Sequence, residues 1–295
     1  MTTLQISQLD APFGVVVEGF NPTTGLNEGT HAEIRDALDE HTLLLFRGQG
    51  ALTDAELVRF AGYFGELFDG GELFGMKLKT KEILELVSER DEEGHETGPS
   101  AVTPLPWHTD YSYLPNAAQE SFLNAVALPE GGGGATCFAD AYGAYEALTP
   151  EMKERIEPLI GFHQLQGSGR YTPEEEKDEI RTSKAHRDRR FRYPGGGKAN
   201  PHPVARRHPR SGRTALYVNS LVATVEHPDT GPMVEDEATA LLQELYREIV
   251  KPERVYAHQW QLDDLVVFDT VGTLHRRDGS PAGDRTMRQL STLLR

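Results

Sequence analysis

Apolar residues fall into two rhythms along this chain. Short runs of branched and aromatic side chains over 14–18, 43–46, 121–128, 215–218 and 265–268 predict strands, and 286–293 reads as the segment that closes the sheets. Helical spacing appears elsewhere. Residues 31–40 read as a helix feeding the strand at 43. Thr53 with Glu56 three residues later forms a capping-box signature ahead of Leu57, Phe60 and Phe64. Thr149 and Pro150 supply a cap and a first-turn proline for a helix reaching 160. Ala238, Leu241, Leu242, Leu245 and Ile249 line one face of a helix over 236–250. Residues 69–106 read as turn-rich. Many strands with turn signals, and helices mostly before or between them, predict a mainly β fold with flanking helices, a jelly roll or related barrel.

No internal repeat or interdomain linker is visible, so a single domain over 1–295 is expected. Two polar stretches interrupt it, an acidic run near 89–103 expected as a mobile loop and a basic one near 167–205 expected as a loop or lid. Hydrophobic residues make up 38% of the 295, enough for a core. A net charge of −16 disfavours a nucleic-acid or anionic-membrane partner. The charge is uneven: residues 181–213 gather eleven Lys and Arg against one acid, Asp188. That patch holds only Phe191 and Tyr193 as aromatics and lacks the interleaved stacking platforms of a nucleic-acid groove. No apolar run could span a bilayer, and residues 1–14 show no secretory pattern. With one cysteine, Cys137, no intrachain disulfide is expected, and a reducing cytoplasm fits. The lone thiol reads as packing.

Four His-x-acid triplets occur: His31/Glu33, His108/Asp110, His186/Asp188 and His227/Asp229. Chance alone gives roughly two at this composition, so the triplet itself carries little. Context separates them. His31/Glu33 opens a helix, His186/Asp188 lies in the basic stretch, and Pro228 splits the last pair. His108/Asp110 alone has strand-like surroundings (Val102, Thr103, Trp107, Thr109, Tyr111, Tyr113), where residues two apart share a face. With His275 they would make a two-histidine, one-carboxylate set with open positions, the pattern of non-haem Fe(II) oxygenases.

Longer segments carry a resemblance. "EHTLLLFRGQ", "LTDAELVRFAGYFGEL", "WHTD", "GGGGATCFADAYGAYEALTPEMKERI", "HPVARRHPRSGRTALYVN", "HQWQLDDLVVFDTVGTLHRR" and "RTMRQL" follow one another as in the taurine/2,4-dichlorophenoxyacetate dioxygenase family, which the chain resembles over nearly its whole length. The resemblance implies a double-stranded β-helix (jelly-roll, cupin-like) core and an enzyme using Fe(2+), 2-oxoglutarate and O2. It implies iron ligands at His108, Asp110 and His275, and cosubstrate contacts at Thr136 and Arg285, whose guanidinium fork suits a carboxylate. Oxidation of an unactivated C–H would be coupled to conversion of 2-oxoglutarate to succinate and CO2. The retained Asp110 carboxylate argues against a halogenase.

The departures bear on substrate. Relatives that oxidise anions carry a second arginine four residues after the first; that position is Gln289, and the adjacent Arg288 would face the other way on a strand. The expected substrate is therefore a small, neutral or apolar biosynthetic intermediate, such as a terpenoid or other antibiotic-pathway compound. Gln289 and Trp107 are the candidate substrate contacts, Trp107 reading as a packing wall. Three alternatives stand: a dioxygenase for a sulfonate or carboxylate, a zinc hydrolase with the same ligand types, and a non-catalytic jelly-roll binding protein. His202 and His208, each followed by proline, read as structural turns. The expected partner is a small molecule, with self-association into a homo-oligomer left open.

Overall fold

The computed structural model describes residues 4–21, 26–74, 77–90, 96–97, 107–130, 133–164, 199–281 and 283–294. Strands β1 (Gln5–Gln8) and β2 (Val15–Glu18) form an antiparallel pair. Helix α1 (Glu28–His41) starts at Asn27, whose side chain accepts from Thr30 N, and ends at Thr42 with φ 70°, turning the chain straight into β3 (Leu43–Phe46). Helix α2 (Asp54–Gly62) has the expected capping box between Thr53 and Glu56.

The 69–106 stretch is more regular than its turn residues suggest, containing α3 (Gly70–Phe74), β4 (Leu84–Arg90) and β5 (Glu96–Thr97). Residues at both ends of the acidic run thus pair as antiparallel strands, with Glu89 opposite Thr97 and Arg90 opposite Glu96. Next come β6 (Ala118–Ala127), β7 (Gly133–Asp140), α4 (Ala141–Glu146) and α5 (Pro150–Ile156). The helix expected to reach 160 stops at Ile156, and residues from Ile160 extend into β8 (Ile160–His163).

The last residues of the expected basic loop form β9 (Asn200–Pro203), paired with β8; residues 165–198 lie outside the described residues. The chain continues through β10 (Ala205–Arg207), β11 (Thr214–Leu216), β12 (Val222–His227), β13 (Gly231–Pro232), α6 (Glu235–Ile249), β14 (Val255–His258), β15 (Leu265–Asp269), β16 (Thr273–Pro281) and β17 (Arg285–Leu293).

An eight-stranded sheet runs β1-β2-β3-β15-β6-β17-β4-β5, and β14-β7-β16 form a three-stranded sheet. Strand β15 shows why its sequence is apolar without alternation. Leu265 and Val267 pack with Ile34 and Leu38 of α1 and Leu57 and Phe60 of α2, while Val266 and Phe268 face Phe138 of β7. Both faces are covered, so both must be apolar. Each such side chain contributes about 1.5–3 kcal/mol on burial. The layered arrangement is the jelly roll the resemblance implies, and β7, β16 and β17 carry the buried polar side chains Thr136, His275, Arg277, Arg285 and Gln289.

Candidate metal centre

His275 lies on β16 opposite Phe138 of β7. His108 joins it by an isolated antiparallel bridge: His108 N donates to His275 O at 3.0 Å, and His275 N to His108 O at 2.9 Å. The His108–Asp110 stretch is not the strand its composition suggests. Residues 102 and 103 lie outside the described residues, the His108 pairing is an isolated bridge outside the strands, and the chain turns from Asp110 to Tyr113. Tyr111 takes φ 54°, an uncommon conformation for a bulky residue. Asp110 thus approaches the imidazoles because the backbone folds back, not because two residues share a strand face. Two of the three competing triplets lie as expected. His31 and Glu33 sit in α1, Asp229 N caps back onto His227 Nδ1 in a turn, and His186/Asp188 is outside the described residues.

Asp110 Oδ1 is 3.8 Å from His108 Nε2 and 3.8 Å from His275 Nε2. The three donor atoms lie within 4.8 Å of one another, the one such group among the described residues. Ligand bonds of about 2.1 Å put two ligands of one ion at most about 4.2 Å apart, so a small contraction fits a single cation. His275 is 7% exposed; burial, then the neighbouring His108, hold its pKa down to about 3. It is therefore a neutral imidazole, the form that binds metal. Phe138 and Phe268 pack against its ring.

A second cluster adjoins this one. Thr136 on β7 is the register partner of Arg277 on β16, two residues beyond His275. Its hydroxyl accepts a 3.0 Å hydrogen bond from Trp260 Nε1, which directs its own proton elsewhere. Arg285, buried at the start of β17, lies 5.9 Å from the Trp260 ring centre and opposite Ser88 of β4. Arg277 NH1 donates to Ser88 Oγ at 2.9 Å. Two guanidiniums, a threonine and an indole thus meet at one end of the barrel, a setting built for an anion.

Sequence reasoning picked Thr136 and Arg285 but missed Trp260, Arg277 and Ser121. Trp260 sits in the quoted "HQWQLDD" segment, and Arg277 follows His275 at strand spacing; those were the available signals. Ser121 Oγ donates to Asp110 Oδ2 at 2.7 Å. Gln289 Nε2 donates to the same oxygen at 2.9 Å, so its amide contacts the Asp110 carboxylate. Arg288 faces away, bonded to Asn124, Asp54 and the Leu52 carbonyl. Trp107 is buried among Leu274, Val218 and Cys137, with the Arg276 guanidinium 5.0 Å from its ring, so its surface is engaged in packing. Cys137 is buried, and burial pushes its thiol pKa up.

His202 and His208 form no second metal group with other residues described. His202 is in strand β9, not a turn: its Nε2 donates to Ser112 O at 2.7 Å and its Nδ1 faces Arg206 NH1 at 3.2 Å. His208 does anchor a turn, its Nδ1 accepting from Ser211 N at 3.0 Å.

The model of the taurine catabolism dioxygenase TauD, TfdA family matches residues 5–291. Pentalenolactone F synthase of Streptomyces arenae is 36% identical over 284 residues, covering 96% of this chain and 93% of that protein. Its counterpart in Streptomyces avermitilis is 34% identical, covering 95% and 90%. Among solved structures, AAD-2 in complex with Mn(II) and N-oxalylglycine superposes with a TM-score of 0.75 at 28% identity, covering 99% of this chain and 97% of that one. No helix among the described residues is long and apolar enough to cross a membrane.

Proposed function

The chain belongs to the taurine catabolism dioxygenase TauD, TfdA family, and from that premise we propose that it oxidises an unactivated C–H of a neutral or largely apolar biosynthetic intermediate. It is an Fe(II)- and 2-oxoglutarate-dependent dioxygenase. On this reading His108, Asp110 and His275 hold the iron, which with 2-oxoglutarate and O2 supplies the oxidising power while succinate and CO2 are released. What supports the ligand assignment is the convergence of one carboxylate oxygen and two imidazole nitrogens within 4.8 Å. Burial keeps His275 in its neutral form, which favours metal over a proton at that nitrogen.

The chain's own residues do the positioning. Arg285 would hold the distal carboxylate of 2-oxoglutarate by charge-assisted hydrogen bonds, and the Thr136 hydroxyl, fixed as an acceptor toward Trp260, would have its proton free for the same group. Arg277 adds a second positive charge at that end. Holding cosubstrate and substrate in one orientation selects which hydrogen is removed.

The substrate assignment rests on one observation: Gln289, where an anion-binding arginine would stand, is bonded to Asp110, and Arg288 is turned toward Asp54. The similarity to two pentalenolactone F synthases supports the same reading, a lactone-type biosynthetic intermediate. The test is succinate formation with a panel of neutral polycyclic terpenoids and lactones beside taurine and aryloxyacetates. Turnover-linked succinate with the neutral set is expected. Coupling only to taurine-like or aryloxyacetate compounds would overturn the substrate class and favour the sulfonate or carboxylate reading.

A further inference from the structure

Gln289 stands on β17 four residues beyond Arg285, with Leu123 of β6 as its register partner. Strand alternation puts Gln289 and Ser291 on the inner face and Arg288 on the outer. Ser121 and Ser291 hydroxyls are 2.7 Å apart. Because Ser121 uses its proton on Asp110 Oδ2, Ser291 is the donor of that pair, giving a relay from Ser291 to Ser121 to Asp110. Gln289 Nε2 completes the arrangement on the same oxygen. With Oδ2 taken by two donors, Oδ1 is the oxygen facing His108 and His275.

We propose that Gln289 is a positioning residue for the metal centre, fixing Asp110 so that one oxygen, Oδ1, is offered to the cation. This rests on the reading of His108, Asp110 and His275 as iron ligands. A carboxylate bonded in this way cannot swing into two-oxygen coordination without losing both hydrogen bonds, so more positions stay open for 2-oxoglutarate and O2. An amide does this without charge. An arginine at 289 would set a cation against the ligand carboxylate and compete with the metal for it. Ligand support and anion binding are therefore alternative uses of this position. A chain that takes the first gives up the second.

The test is anaerobic titration with Co(II), an air-stable optical stand-in for Fe(II), into the wild-type protein, Gln289→Met, Asp110→Ala and the double variant. Gln289→Met is expected to weaken Co(II) binding about tenfold and to alter the visible band of the bound ion. In the Asp110→Ala background the same substitution is expected to change affinity less than about twofold, because the group it acts through is gone. Unchanged affinity in Gln289→Met, or an equal loss in both backgrounds, overturns the proposal. Gln289→Leu removes the donor without adding charge, and gives the same reading if circular dichroism shows the methionine variant unfolded. Wild-type protein that binds no Co(II) overturns the metal assignment itself, and the proposal with it.

Discussion

His108 and His275, far apart in sequence, exchange both of their backbone hydrogen bonds, at 3.0 and 2.9 Å. The two imidazoles are thereby brought together by main chain, with ring centres 4.2 Å apart, before any metal enters. Asp110 is then delivered by a turn, and its second oxygen is held by Ser121 and Gln289. Such preorganisation limits the reordering that metal binding would otherwise require.

The strand leading to His275 depends on a close backbone approach. Gly272 lies against the ring of the fully buried Tyr142, and a Cβ there would overlap that ring. Tyr142 is in turn fixed by its hydroxyl on Asp269 and by the Arg213 guanidinium 4.1 Å from its ring. Gly272→Ala is expected to destabilise the fold by about 1–3 kcal/mol through overpacking, measured by urea unfolding. A midpoint equal to wild type would contradict this packing account.

The anion end gives a kinetic prediction. Trp260→Phe keeps the ring near Arg285 but removes the indole donor to Thr136. The KM for 2-oxoglutarate is expected to rise several-fold, in keeping with about 1 kcal/mol for a hydrogen bond. Arg285→Gln removes the charged fork, and a loss on the order of 2 kcal/mol corresponds to a KM about 30-fold higher. A change in kcat alone, with KM for 2-oxoglutarate unaltered in both variants, would place the cosubstrate elsewhere.

Acid sensitivity follows from His202. Burial first, then Arg206, hold its pKa down to about 4, and the fully buried His163 is lowered as well. Between pH about 6.5 and 4 the unfolded chain takes up a proton that folded His202 refuses, so stability falls as pH drops through that window. The contribution is up to about 1.4 kcal/mol per pH unit for each such histidine. Urea unfolding of metal-free protein at pH 7, 6 and 5 measures it. His202→Gln is expected to be less stable at pH 7 but to show a shallower decline; an equal slope would mean His202 does not titrate on unfolding.

How much of this was readable beforehand varies with the kind of interaction. The Thr53 capping box, the amphipathic face of α6 and the apolar runs of β3 and β15 are local patterns, and the structure places them within a residue or so of expectation. Strands β4, β8 and β9 were missed because their residues are polar, short-run or proline-flanked, and become strands through partners distant in sequence. The same limit applies at the site. His108, Asp110 and His275 were identifiable as residue types in family-like segments, but the bridge and turn that join them are long-range. Gln289 was legible as a departure; that its amide reaches Asp110 follows from the register of β17 on β6, which no local pattern encodes.

Anaerobic titration of Fe(II) into the protein with saturating 2-oxoglutarate tests the central claim most directly. The wild-type chain is expected to develop the visible absorption band of an iron-bound 2-oxoacid, and His108→Ala to lose it. Absence of that band in the wild type, or its persistence unchanged in His108→Ala, would contradict the account.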